Sequence, residues 1–282
     1  VRAVLRSLIS ECLRPVSFVL RDRNQRELLR LKDRYDHIGR NCPSTVQFFH
    51  HTWQIPDVKS FLFQWEEIFV REIYRFQKDS VNPLIYDCGA HSGLASLYFS
   101  EQYPDAVIHA FEADPLIVAM LRSNILANHV RNVDVIDKAV WIHDRGVAFY
   151  ADGSDGGSLF GSTDPVSVSS VSLSDILRKE KSIDMLKMNI EGAEGAVLKD
   201  SIGDLGKIRH LFIEYHPGIT PGHDLHDILH TLALAGFSYH VEPVRPVRSP
   251  LAKMATKGLF ATQIYIFAQR NGSFEVEGNE QG

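Results

Sequence analysis

The sequence predicts an α/β protein, a doubly wound and mainly parallel sheet preceded by a helical cap. Three observations carry that expectation. From about Leu84, short apolar runs alternate with stretches of helical length. The first of these runs ends in the turn Asp87-Cys88-Gly89-Ala90-His91-Ser92-Gly93. Before residue 80, apolar residues recur mostly at helical spacing.

Along the chain, Val1, Val4, Leu5, Leu8, Cys12 and Leu13 share a helical face, and Pro15 ends or bends that helix. Leu28, Leu29 and Leu31 mark a helix near 21–36. Trp65, Ile68, Phe69, Ile73 and Phe76 mark another near 59–77. Residues 1–80 are therefore expected to form a helical cap with a substrate or assembly role. Strands follow at 84–88, 107–111 and 133–137, with helices at 93–102 and 115–128 between them. Further strands are expected near 185–189, 211–215, 239–242 and 263–268, and helices near 193–200 and 225–235. The segment 152–165, rich in Gly, Ser and Asp, reads as a loop between two hairpin strands. Residues 81–270 form the sheet domain, and 271–282 a disordered tail.

A net charge of −5 speaks against general nucleic-acid affinity. The charge is unevenly spread: residues 1–40 hold ten basic and five acidic residues, leaving twenty basic against thirty acidic in the remainder. That basic start reads first as a solvated helical face, with an acidic partner, a membrane surface or a second copy of the chain as alternatives. The cysteines, Cys12, Cys42 and Cys88, show neither a disulfide framework nor metal-ligand spacing. No apolar run is long enough to span a bilayer, and Arg2, Arg6 and Glu11 break the first stretch, so no signal peptide is expected. A reducing, cytoplasmic setting is the default.

In doubly wound folds ligands sit outside the carboxyl ends of the strands. Here the first strand ends at Asp87 and runs into Gly89 to Gly93, where glycines allow close backbone approach and the following helix offers free amides. Glu112 closes the next strand, 23 residues after Gly89, placed to accept bonds from ribose hydroxyls. That carboxylate suits an NAD-binding protein equally well. The turn is more selective, because a pyrophosphate needs three glycines, whereas the middle position here is His91 and Asp87 would repel phosphate. S-adenosylmethionine, cationic and free of phosphate, fits better. A tight turn without a ligand is the bland alternative.

Three blocks then make a specific match: Ile85-Tyr86-Asp87-Cys88-Gly89-Ala90-His91-Ser92-Gly93, Ala110-Phe111-Glu112-Ala113-Asp114-Pro115, and Leu186-Lys187-Met188-Asn189-Ile190-Glu191-Gly192-Ala193-Glu194. With Ile213-Glu214-Tyr215-His216 they resemble the FkbM family of methyltransferases over roughly residues 80–242. The resemblance implies the class I methyltransferase (Rossmann-like) fold, seven strands with the last antiparallel. It also implies S-adenosylmethionine as cofactor and O-methylation of a small hydroxylated metabolite, a sugar or polyketide-like natural product. Carried over by position, Asp87, Gly89, Ala90, His91 and Gly93 shape the methionine pocket. Glu112 and Ala113 hold the ribose, and Asp137, Lys138 and Ala139 meet adenine, mainly through backbone. The family commonly has Asp where this chain has Asn189. Two other readings stay open, an NAD-linked oxidoreductase and a non-catalytic binder of the cofactor or of S-adenosylhomocysteine.

Methyl transfer rests largely on alignment of the two reactants, and an alcohol acceptor also needs a base. Candidates at the strand ends are Asn189, Glu191, Glu194, Glu214 and His216. His216 is the first choice because imidazole titrates in the useful range, with turn stabilisation as its rival role. Glu191 and Glu194 lie at a helix start, where capping competes with catalysis. Lys187, within a buried strand, is expected to pair with a carboxylate. Asn189, Glu191 and either Glu214 or His216 offer ligands to Mg²⁺, but Asn in place of Asp lowers the charge, and no metal is expected. His223, His226, Asp227 and His230 fall opposite Leu225, Ile228, Leu229 and Leu232 and face solvent.

On the acceptor side, Arg245, Arg248, Lys253 and Lys257 lie in the segment 243–261 before the last strand. They suit either an anionic acceptor or a solvated connector. The loop 152–165 is a candidate lid. Trp53, Phe61 and Trp65 either line the acceptor pocket or belong to the core.

Overall fold

The computed structural model describes residues 22–151, 157–159, 164–217, 224–246 and 263–270. The expected helix in 1–13, most of the loop 152–165 and the tail 271–282 lie outside them, as do His223, Arg248, Lys253 and Lys257.

The chain begins with helix α1 (Arg23–Tyr35), whose first turn is capped by the Asp22 carboxylate accepting from the Gln25 amide. The mostly helical cap also contains strands that were not expected: Ser44–Phe48 (β1) and His51–Ile55 (β2) form an antiparallel hairpin. Its alternation is plain in retrospect, since Val46, Phe48, Trp53 and Ile55 are buried while the residues between them are not. Helix α2 spans Val58–Trp65, and the chain continues as a π-helical turn, Glu66–Val70, in place of the helix expected up to residue 77.

The sheet domain follows the expected alternation. Strands β3 (Leu84–Cys88), β4 (Val107–Glu112) and β5 (Val133–Asp137) alternate with helices α3 (Leu94–Gln102) and α4 (Pro115–Ala127). Four short strands follow, β6 (Ala139–Trp141), β7 (Val147–Phe149), β8 (Val166–Val168) and β9 (Ser170–Ser172). The antiparallel pairing of β7 with β8 is the hairpin expected around the Gly/Ser loop. Helix α5 (Leu173–Lys179), unanticipated, leads to β10 (Ile183–Met188), α6 (Glu194–Asp200), β11 (Ile208–Tyr215), α7 (Leu225–Leu234), β12 (Phe237–Pro243) and β13 (Ile264–Arg270).

Seven strands form one sheet in the order β12-β13-β11-β10-β3-β4-β5. The neighbours from β11 to β5 are parallel, and β13 runs antiparallel to both β11 and β12. One face packs against α3, α4 and the amino-terminal segment, burying Ile85, Leu97, Leu121 and Phe212. The other packs against α5, α6 and α7 around Leu186, Val197 and Leu232. Alternation along the strands decides which polar residues share a face. Asp87, Lys187 and Glu214 lie on the side facing the amino-terminal segment, because their neighbours Cys88, Met188 and Ile213 point into the opposite core. Trp53, Trp65 and Phe61 are 0%, 0% and 2% exposed and belong to the first core, which removes them from the acceptor pocket.

Candidate active site

The carboxyl ends of β3, β4, β10 and β11 open into a cavity of about 500 Å³, within the usual size for a small-molecule site. Gly89, Ala90 and His91 line one part of it, followed by Glu112, Ala113, Lys138 and Ala139. Asn189, Glu191 and Glu214 line the part beneath the amino-terminal segment. The expected residues therefore converge, apart from Glu194 and four others.

Asp87, Gly93, Asp137 and His216 are not on the cavity wall. Asp87 is fully buried, paired with Lys187 (3.0 Å) and accepting from the Ser96 hydroxyl (2.7 Å). Lys187 Nζ also donates to the Gly89 carbonyl at 2.6 Å. This is the carboxylate partner expected for Lys187, and it ties the strand end to the glycine turn. Asp137 is exposed and faces Arg122 at 3.3 Å. His216 Nε2 lies 3.6 Å from Glu191 and 3.7 Å from Glu214, behind the wall they form.

The glycines are required by the protein itself. A Cβ on Gly89 would stand 1.8 Å from the Asn189 carbonyl oxygen, so only glycine lets β10 end so close to the turn. A Cβ on Gly93, at φ +93°, would stand 2.5 Å from Leu121 Cδ1. The turn is then fastened from three sides. Glu112 accepts from the amides of His91 (2.8 Å), Ala113 (2.7 Å) and Asp114 (2.9 Å). Trp53 Nε1 and Asn124 Nδ2 both donate to the Ser92 carbonyl, at 3.0 and 2.9 Å. A carboxylate offers about four acceptor positions, so three amides leave Glu112 with about one more.

Glu194 proves to be a capping residue, fully buried and accepting from the amides of Ile190 and Gly192, each at 2.9 Å. That clamp holds Glu191 at φ +52° and Gly192 at φ +95°, which turns the chain back along the cavity. Asn189 Nδ2 donates to Glu214 Oε2 at 3.0 Å, while Asn189 Oδ1 is buried with no hydrogen-bond partner among the described residues. Burial pushes the Glu214 carboxyl up to about 7; Lys187 opposes that rise, and Glu194 and Glu67 add to it.

Glu67, Tyr74 and Tyr265 also line the cavity, and the sequence reading missed all three. Burial raises the Glu67 carboxyl against the counter-effect of Arg71, and burial holds the Tyr74 and Tyr265 phenols protonated. Tyr265 is the direct cross-strand partner of Glu214. The signal for Glu67 was a pair of glutamates, Glu66 and Glu67, between the buried Trp65 and Ile68; of the two, Glu67 is buried in the π-helical turn. His226, Asp227 and His230 are exposed, as expected of a solvent face. Among the described residues, one group brings three His, Cys, Asp or Glu ligand atoms within 4.8 Å: His50, His51 and Glu101, at the hairpin tip.

The strand order and the glycine turn after the first sheet strand, with a cavity at the strand ends, define the class I methyltransferase fold. The lining mixes five carboxylates, Glu67, Glu112, Asp114, Glu191 and Glu214, with five cations, Arg40, Lys59, Lys138, Lys187 and Arg245. The model of the methyltransferase FkbM domain matches residues 87–239, more than half of the chain. The chain belongs to the FkbM methyltransferase family.

Among similar proteins, Methyltransferase sdnD of Sordaria araneosa is 41% identical over 66 residues, 23% of this chain and 26% of its own. Methyltransferase 1 of Beauveria bassiana is 26% identical over 160 residues, 48% of this chain and 64% of its own. The matches thus span about a quarter and just under two thirds of these curated relatives. Among solved structures, methyltransferase FkbM from Methylobacillus flagellatus is 16% identical, with TM-score 0.45, covering 68% of this chain and 45% of its own. The M. jannaschii TYW2 complex with AdoMet is 14% identical, with TM-score 0.46, covering 84% and 92%. Among the described residues no helix is long and apolar enough to cross a membrane.

Proposed function

We propose that this methyltransferase acts on a hydroxyl oxygen of a small metabolite, a sugar or polyketide-like natural product, with Glu214 as the base. The observation that carries this reading is the Glu214 carboxylate on the cavity wall, oriented by the Asn189 amide at 3.0 Å. A base poised near neutrality is what an alcohol acceptor needs, whereas an amine could transfer after losing its proton to water. When bound, the cofactor supplies an electrophilic methyl group on a sulfonium. The main chain of Gly89 to His91 holds its methionine end, Glu112 its ribose, and the Lys138-Ala139 backbone its adenine. Glu214 takes the hydroxyl proton, and His216, 3.7 Å behind it, is a positioning group. Asn189 Oδ1, buried and without a hydrogen-bond partner among the described residues, supports a role as acceptor for the substrate hydroxyl or the cofactor ammonium.

The Asp-to-Asn departure thus leaves a carboxylate in place for chemistry, which argues against a binding protein without activity. Cys42 and Cys88 are free thiols, in keeping with a reducing compartment. A screen of hydroxylated sugars and polyketides should yield O-methyl products that Glu214→Gln lowers by about 10²–10⁴-fold, with S-adenosylhomocysteine affinity retained. An undiminished rate in that variant would remove Glu214 from the role of base.

A further inference from the structure

The cavity is electrically polarised. Its buried wall carries Glu67 and Glu214, whose side chains are 8% and 12% exposed, with Lys187 beside Glu214 and Arg71 paired to Glu67. Its exposed end carries three cations from separate parts of the chain: Arg40 after α1, Lys59 on α2 and Arg245 after β12. Arg40 Nη1 is steered by Asp57 (2.9 Å) and Ser60 Oγ (3.1 Å), and Lys59 by Asp36 (2.7 Å). Asp57 itself is buried and already accepts from the amides of Asn41 and Ser60, so it anchors Arg40 at one place on the rim. Arg245 differs from the other two. Its guanidinium lies 5.0 Å from the centroid of the Phe63 ring, which also lines the cavity, and no carboxylate partners it among the described residues.

A guanidinium over an aromatic ring still has N–H donors to offer a planar or tetrahedral oxyanion. We propose that Arg245, with Arg40 and Lys59, forms a subsite for an oxyanionic group, carboxylate or phosphate, of the hydroxylated acceptor. The acceptor then enters with its anion at the basic rim and its hydroxyl turned inward to Glu214. This inference rests on the reading of the cavity as an acceptor site, but not on the identity of the base.

The test titrates the full chain, loaded with S-adenosylhomocysteine, with inorganic phosphate, benzoate and benzyl alcohol at low salt. Benzoate or phosphate should bind with millimolar affinity, more tightly than benzyl alcohol, and the stronger of the two names the oxyanion. Arg245→Gln should weaken that anion about tenfold, Arg245→Lys should restore part of the loss, and added salt should weaken binding in the native chain. S-adenosylhomocysteine affinity should be the same in all variants, which separates loss of the subsite from loss of fold. The proposal is overturned if benzyl alcohol matches both anions, if neither anion binds at tens of millimolar, or if Arg245→Gln binds the anion as the native chain does. Failure of hydroxyl methylation alongside intact anion binding would instead count against the proposed function alone.

Discussion

At the scale of single residues the site turns on how three buried groups share charge. Lys187 lies between Asp87 and the Gly89 carbonyl and lowers the cost of the nearby Glu214 carboxylate. Asn189 supplies a donor to Glu214, where an aspartate would place two carboxylates side by side. Asn189→Asp should therefore raise the acidic limb of the kcat/KM profile by roughly a unit or more, measured against the limb near pH 7 in the native enzyme. Glu214 also links stability to pH. Its folded value of about 7 lies above an ordinary 4.5, so the folded protein holds a proton that the unfolded chain releases. Stability should fall as pH rises from about 4.5 to 7, by up to about 3 kcal/mol, and Glu214→Gln should flatten that slope in urea titrations. Lys187→Met should cost about 3–5 kcal/mol because it strands the buried Asp87 charge.

Residue chemistry was legible in the sequence where it is local. The glycine turn, Glu112 and the capping role open to Glu194 depend on neighbours within a few positions. The assignment of Glu214 over His216 depends on depth behind the cavity wall, which spacing along a strand does not report. Glu67 was hidden for a related reason: its role comes from a π-helical turn that rotates one carboxylate out of an apolar face.

Among the elements, the hairpin β1–β2 is the part that helical periodicity obscured, and it supports the site directly. The backbone of β2 pairs with two asparagine side chains on α4. Asn124 exchanges bonds with Gln54 (2.7 and 2.8 Å), and Asn128 does the same with Thr52 (2.9 and 2.8 Å). One turn apart on the helix, these amides satisfy a strand edge that would otherwise be exposed. Asn124 also reaches Ser92 in the nucleoside turn, as does Trp53. Asn124→Leu should cost about 1–3 kcal/mol, because the buried Ser92 carbonyl and the part-buried backbone of Gln54 each lose a partner. It should also weaken S-adenosylhomocysteine binding, measured by calorimetry, although residue 124 does not line the cavity. Equal affinity in the variant would show that the hairpin is only a lid on the core.

On the scale of the whole molecule, an amino-terminal segment is laid over the acceptor side of a seven-stranded sheet. The sheet was legible because each strand is a short apolar run bounded by turns, and the position of β13 follows from the family's pattern. The packing of the amino-terminal segment was not, since its apolar residues fit a helix or a strand equally well until the partner face is known. Its consequence is that Phe63, Glu67 and Arg40 come from one side of the cavity and Glu112, Asn189 and Glu214 from the other. Ligand binding should therefore stabilise the molecule as a unit. At a hundredfold excess over its Kd, S-adenosylhomocysteine should contribute about 2.7 kcal/mol and raise Tm by several degrees, whereas NAD should leave Tm unchanged.

Transfer of an isotopically labelled methyl group tests the account most directly. S-adenosylmethionine carrying a ¹³C-methyl group is incubated with the enzyme and hydroxylated acceptors, and the product carbon is read by NMR. The account predicts a methyl carbon bonded to oxygen, formed by the native chain and nearly absent with Glu214→Gln. A label found on nitrogen or carbon, or an oxygen-bound label formed equally well without the Glu214 carboxylate, would contradict it.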